Sequence, residues 1–150
     1  MKRFGDPPRK GVRYTRRPGA YGVVLDGAGR ALIALNESAG EEIALPGGGV
    51  DPGETPLRAL HREAMEETGW RIRVIRRVGA YKRFTYMPEY DLWAEKICHI
   101  YLARALRRVA DPIEPDHQPV FVDAAFAAAA LSVDGDRAMF RRALAGNAQL

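Results

Sequence analysis

The sequence predicts a single α/β or α+β domain, and three observations carry that expectation. Short apolar runs alternate with helical segments, so strands and helices interleave within one layered unit. The length, 150 residues, suits one domain with one core. The composition, 47% hydrophobic and 28% charged, is that of an ordinary globular chain and excludes collagen-like and disordered classes. No apolar run approaches the roughly 18 residues of a membrane span. A lone cysteine, Cys98, precludes an intrachain disulfide, and the basic N-terminus lacks the apolar stretch of a secretory signal, so a cytoplasmic setting is expected.

The elements follow in order. Residues 1–17 mix Gly5, Pro7, Pro8 and Gly11 with seven Lys or Arg and read as a basic irregular arm, ahead of one domain over residues 18–150. A net charge of +4 and this arm allow attraction to phosphates or nucleic acid, but a solvated tail is the favoured reading. Ala20–Leu25 and Ala31–Leu35 are strand-like runs joined by the hairpin turn Asp26–Arg30. Asn36–Glu42 is turn-like, Ile43–Leu45 a short apolar stub, and Pro46–Gly49 a glycine turn. A helix begins at Thr55, with Pro56 at its first position, and ends at Thr68 before Gly69. Arg71–Val78 and Ile97–Ala103 are strands, the second mixing Ile97, Cys98, Ile100, Tyr101 and Leu102 as a strand buried on both faces does. The aromatic segment Tyr81–Trp93 lies between them. Asp111–Pro119 is a loop, Val120–Val122 a last strand, Asp123 a cap for the alanine-rich helix Ala124–Leu131, and Gly135–Ala145 a final helix.

The helix at 55–68 carries the chemistry. At about 100° per residue Leu57, Leu60, Ala64 and Thr68 form a core stripe. Glu63, Glu66 and Glu67, at i, i+3 and i+4, share an adjacent face. Like charges at that spacing repel, and Arg62, four residues before Glu66, cannot neutralise three carboxylates. A hard divalent cation does, since Mg²⁺ takes a few carboxylates together with substrate phosphate oxygens. The glycine turn just before the helix lets backbone atoms approach a ligand.

The segment Gly48–Trp70 resembles the Nudix box, G-x5-E-x7-R-E-U-x-E-E-x-G-U. Gly48, Glu54, Arg62, Glu63, Glu66, Glu67 and Gly69 occupy its fixed positions. Two bulky aliphatic positions depart, to Ala64 and Trp70. The resemblance implies an α/β/α sandwich around a mixed β-sheet. It also implies hydrolysis of a diphosphate linkage in a nucleoside diphosphate joined to another group, by water attack on phosphorus. Carried over by position, Glu63, Glu66 and Glu67 bind Mg²⁺ or Mn²⁺ with the Gly48 carbonyl, Glu54 contributes to the metal or supports the loop, and Arg62 orients the glutamates. Residues 116–122 are similar to a late family segment in which Gln118 stands where many relatives have Glu. An amide accepts no proton at neutral pH, so Glu67 is favoured as base or as ligand to the metal of the attacking water, with Glu114, Asp116 and His117 as loop candidates.

Tyr86, Phe84, Arg83, Lys82 and His117 are candidates for substrate contact, by base stacking or phosphate binding. His61, His99 and Cys98 read as structural. The substrate class stays open. Tyr86, 16 positions past the box, is similar to diadenosine polyphosphate hydrolases, while Pro88 is similar to ADP-ribose pyrophosphatases. The loop at Leu45–Val50 resembles MutT-type nucleotide hydrolases and lacks the glutamine of RNA 5′-end pyrophosphohydrolases, so a nucleic-acid partner is not expected. A non-catalytic nucleotide sensor or nucleic-acid-binding module is the alternative, disfavoured because every box glutamate is present. Many members dimerise; a homodimer is compatible, and no residue here forces one.

Overall fold

A computed structural model describes residues 1–37, 41–113 and 116–146. The strands are β1 (Lys2–Arg3), β2 (Thr15–Leu25), β3 (Arg30–Asn36), β4 (Glu42–Ala44), β5 (Gly47–Gly49), β6 (Trp70–Met87), β7 (Leu92–Arg108) and β8 (His117–Asp123). The helices are α1 (Pro56–Thr68), α2 (Ala124–Ala130) and α3 (Asp134–Ala145). The sheet runs β1-β6-β7-β2-β3-β4, with β5 added to β2 and β8 added to β3. It is mixed: β1 with β6 and β2 with β7 are parallel, and the remaining pairs are antiparallel.

Strand alternation sorts the apolar residues onto two faces. Val23, Ile33, Cys98, Ile100 and Leu102 meet Ala127 of α2, Leu131 just after it, and Phe140 and Ala143 of α3. Ala20, Val24, Leu32, Tyr101 and Ala103 meet Ala59, Leu60 and Ala64 of α1. The expected α/β/α sandwich results, and β2, β3 and β7 are buried on both sides. Cys98 is buried in the first of these clusters, and desolvation raises its thiol pKa. His99, beside it, has its pKa lowered by burial.

Four local expectations are corrected. Residues 1–17 are not wholly irregular. Lys2–Arg3 pairs with Tyr81 and Lys82 of β6, and Thr15–Arg17 already belongs to β2. Phe4 sets its ring edge-on against Tyr81 at 5.4 Å, which anchors the arm. The aromatic segment Tyr81–Trp93 is the far end of the β6–β7 hairpin, closed by a short 3₁₀ turn at Pro88–Tyr90. Phe84 and Tyr86 share one strand face, Phe84 against Tyr14 and Tyr86 against Trp93, and Tyr81 lies on the other face in the core. The glycine turn at Pro46–Gly49 contains a strand, because Gly47–Gly49 pairs with Gly19–Tyr21. Asp123 precedes α2 but its side chain makes no capping bond. The loop candidate Glu114 lies outside the described residues.

Candidate active site

α1 is delimited by its own chemistry. The Thr55 hydroxyl accepts from the Arg58 N–H at 3.2 Å, and Pro56 opens the helix. Gly69 stops it with φ +74°, its N–H donating to the Met65 carbonyl at 2.9 Å. A Cβ at Gly69 would run into the Ala110 carbonyl oxygen, so both conformation and space require glycine here. Ala59, Leu60, Ala64, Glu67 and Thr68 are the buried positions. The expected stripe is thereby corrected at Leu57, which is 45% exposed, while Ala59 is packed in the core.

The three glutamates do not share one solvated face. Glu67 lies seven residues after Leu60, about 20° away on the helix wheel, and is therefore carried into the buried side. It is 5% exposed. Side-chain exposure rises from Glu63 at 14% to Glu66 at 35%. Glu63 and Glu67 thus point toward the sheet, and Glu66 lies outside them.

Arg62 organises this edge. Its Nε donates to Glu54 Oε2 at 2.8 Å and its Nη2 to Glu54 Oε1 at 2.9 Å, a two-pronged bond. Nη1 donates to Glu63 Oε1 at 2.9 Å and to Glu66 Oε2 at 3.2 Å. Nη2 also reaches the Gly49 carbonyl at 2.9 Å. Glu54 closes its own loop by accepting from the Asp51 N–H at 3.0 Å. The Arg62 bonds hold the Glu54 carboxyl at about 2, well below its ordinary 4.5, and push the guanidinium pKa upward in return. Arg62 therefore joins Glu54, Glu63 and Glu66 in one network. Among the described residues no three His, Cys, Asp or Glu side chains form a ready-made metal cluster. Arg62 occupies the oxygens of Glu63 and Glu66 on one side.

Gly48 faces Glu63 so closely that a Cβ there would sit 2.5 Å from the Glu63 carboxyl carbon. Beside them opens a chamber of about 340 Å³ lined by Gly48, Glu63, Glu67, Tyr21, Arg17 and Lys96. A second chamber of about 760 Å³ carries Arg83, Thr85, Tyr86 and Ser132. The two share Asn36, Glu42, Met87, Glu89, Lys96 and His117, so they form one cleft.

The structure brings Gly48, Glu63, Glu67, His117, Arg83 and Tyr86 to this cleft. Glu54, Arg62 and Glu66 stand behind it as the network just described. Lys82 and Phe84 go elsewhere, because neighbours of Arg83 on a strand point to the opposite face. Lys82 lines a separate cavity with Met1 and Arg16, and Phe84 packs edge-on against Tyr14 at 4.9 Å. Gln118 is exposed on β8. Arg17, Lys96, Tyr21, Glu42, Glu89 and Tyr90 are cleft residues that sequence reasoning missed. Arg17 lay in a stretch read as solvated, and Lys96 gains its position only from strand pairing.

Comparison with solved structures places the fold. The MutT protein of Methanosarcina mazei Go1 superposes with a TM-score of 0.71 at 18% identity, over 91% of this chain and 99% of that one. A Nudix hydrolase of Nitrosomonas europaea gives 0.69 at 14% identity, over 88% and 90%. In sequence, a Bacillus subtilis (strain 168) protein with the provisional name 8-oxo-dGTP diphosphatase is 35% identical over 80 residues, 53% of this chain and 52% of that protein. The CMP-5′-(N-acetyl-N-hydroxy-3-aminopropyl)phosphonate hydrolase of Streptomyces rubellomurinus (strain ATCC 31215) is 35% identical over 105 residues, 67% of this chain and 48% of that one. The chain therefore spans about half the length of each of these curated relatives. The family model for the NUDIX domain matches residues 15–143, and with the box glutamates, their arginine and the sandwich fold in place, this chain belongs to the Nudix family.

Proposed function

We propose that the cleft hydrolyses a diphosphate linkage in a nucleoside diphosphate joined to another group, with a divalent metal ion bound. The observation that carries this reading is the meeting of acid and base along one cleft. Glu63 and Glu67 stand at one end, and Arg17 and Lys96 line the same chamber. Carboxylates suit a hard cation, and the basic groups suit phosphate oxygens.

Members of the family generally use divalent metals, and the residues present fit such an ion. The donor set is all oxygen, and Gly48 leaves its carbonyl and the Glu63 carboxylate unobstructed by a side chain. Glu63, Glu66, Glu67 and the Gly48 carbonyl would hold it, with Mg²⁺ or Mn²⁺ as the expected ion. When bound, the ion lowers the pKa of a coordinated water and neutralises phosphate charge.

The chain's own groups do the rest. Arg62 fixes Glu63 and Glu66, so the carboxylates need not reorganise when substrate arrives. Arg17 and Lys96 bind and orient phosphate oxygens in the first chamber. Glu67 is buried and lines that chamber, which supports a role as acceptor of the attacking water's proton or as a metal ligand.

A panel of nucleoside triphosphates (including oxidised purines), dinucleoside polyphosphates, ADP-ribose and sugar nucleotides, with Mg²⁺, Mn²⁺ or chelator, tests the reading. Metal-dependent release of product from a member of the panel is the expected result. Glu67→Gln keeps the shape of the side chain and should lower turnover at least about a hundredfold, since a carboxylate is removed. Near-wild-type turnover in that variant would remove Glu67 from the chemistry.

A further inference from the structure

Three basic side chains stand in one row across three neighbouring strands. Lys96 of β7 is the register partner of Arg17 on β2 and of Arg83 on β6. Register partners project from the same sheet face, here the face that carries Cys98 and Tyr81 two residues along. The row enters the cleft from end to end. Arg17 and Lys96 line the chamber that holds Glu63 and Glu67, and Lys96 and Arg83 line the second chamber. All three are half-buried.

Like charges side by side in a sheet destabilise it, and half-burial strengthens the repulsion. Among the described residues none of the three forms an ion pair or a side-chain hydrogen bond. Arg17 rests over the Tyr90 ring at 4.6 Å, and Lys96 lies 5.7 Å from the Tyr21 ring. Asp136, whose buried carboxyl feels both Arg83 and Lys96, is committed to the Tyr81 hydroxyl, which donates to it at 2.6 Å. Glu42 and Glu89 line the same chambers without pairing to the row. Among the described residues the row's cations therefore meet carboxylates only at longer range, Asp136 the nearest to act on Arg83 and Lys96, and their donors stay open to an external anion.

The length of the row selects the anion. Neighbouring strands lie about 4.8 Å apart, so the row runs about 10 Å from β2 to β6. A diphosphate held at the Glu63 and Glu67 end meets Arg17 and Lys96. A longer run of negative charge extends toward Arg83 in the second chamber as well.

We propose that Arg17, Lys96 and Arg83 form a phosphate track, and that the substrate is a nucleotide whose phosphate chain is longer than two, a nucleoside or dinucleoside polyphosphate rather than a nucleoside diphosphate joined to a neutral sugar. This deepens the function proposed above and rests on it for the reaction, but the track itself is read by binding. Isothermal calorimetry of the whole chain in metal-free buffer, with inorganic pyrophosphate and inorganic tripolyphosphate as probes, measures it directly. Wild type should bind tripolyphosphate at least tenfold more tightly. Arg83→Gln should weaken tripolyphosphate at least fivefold and change pyrophosphate less than twofold, and Arg83→Lys should restore most of the preference. Arg104→Gln, which removes one charge from an exposed position farther along β7, should alter neither.

A wild-type preference below twofold, or an Arg83→Gln loss equal for both probes, overturns the track. Turnover supplies the second arm. Adenosine tetraphosphate and diadenosine tetraphosphate should be hydrolysed with higher kcat/KM than ADP-ribose, the better of the two identifying the mononucleoside or dinucleoside form, and Arg83→Gln should erase that advantage. ADP-ribose as the best substrate overturns the proposal. Absence of turnover on every nucleotide with the tripolyphosphate preference intact refutes the hydrolase reading and leaves the track standing.

Discussion

Arg62 shows why one residue type is needed at one position. Its planar fork grips both oxygens of Glu54, while its remaining donors reach Glu63, Glu66 and the Gly49 carbonyl. A lysine carries the charge but not the fork. Arg62→Lys should therefore lower turnover about tenfold or more through displaced glutamates, measured as kcat with saturating metal. The pH dependence of the network has a definite sign. The Glu54 carboxyl is depressed from 4.5 to about 2 by its bonds to Arg62, so its ionised form is favoured by folding. The stability this contributes is complete above the unfolded value and is lost as pH falls through the folded one. The melting temperature of wild type relative to Glu54→Gln should hold steady above about pH 5 and shrink between 4.5 and about 2. A difference constant over that window would show that the pair is not coupled to folding.

At the scale of the element, α1 is positioned by its end as much as by its packed face. The Gly69 carbonyl accepts from the Val109 N–H at 2.8 Å, which ties the helix terminus to the chain just after β7. Gly69→Ala forces a side chain into a positive φ and against Ala110. The expected cost is about 2 kcal/mol, read as a lowered urea midpoint with unchanged slope. Gly48 acts differently, since its φ is ordinary and its constraint is the Glu63 carboxylate. Gly48→Ala should leave stability nearly intact and reduce turnover at least tenfold by moving Glu63. Equal turnover would show that this carboxylate has room to yield.

At the scale of the whole molecule, the arm and the cleft are separable. Residues 1–14 add the β1 pairing to β6, the Phe4–Tyr81 contact and the Tyr14–Phe84 contact, all away from the glutamates. Removing them should cost about 1–2 kcal/mol of stability, through lost apolar burial and ladder bonds, and leave kcat within twofold. A collapse of turnover in a still-folded truncation would place the arm in the site. No helix among the described residues is long and apolar enough to cross a membrane.

Legibility from the sequence followed the range of the interactions. The box helix, its Thr55 start and Gly69 stop, and the Glu54–Arg62–Glu63–Glu66–Glu67 set were readable, because helix period, capping and glycine conformation are local. The layered sandwich was readable from alternation of elements and from the family resemblance. The burial of Glu67 was only half visible: the wheel places it near Leu60, but solvation of a carboxylate argues against that placement until the cleft is seen. Lys82 and Arg83 are adjacent and chemically alike in sequence, yet strand alternation sends one into the cleft and the other to the opposite face. Arg17, Arg83 and Lys96 are far apart along the chain, and only the pairing of β2, β7 and β6 sets them side by side. Local sequence determined the acidic helix and its caps; register between distant strands decided which cations face it, because hydrogen-bonded pairing, not sequence proximity, assigns each side chain its face and its neighbours.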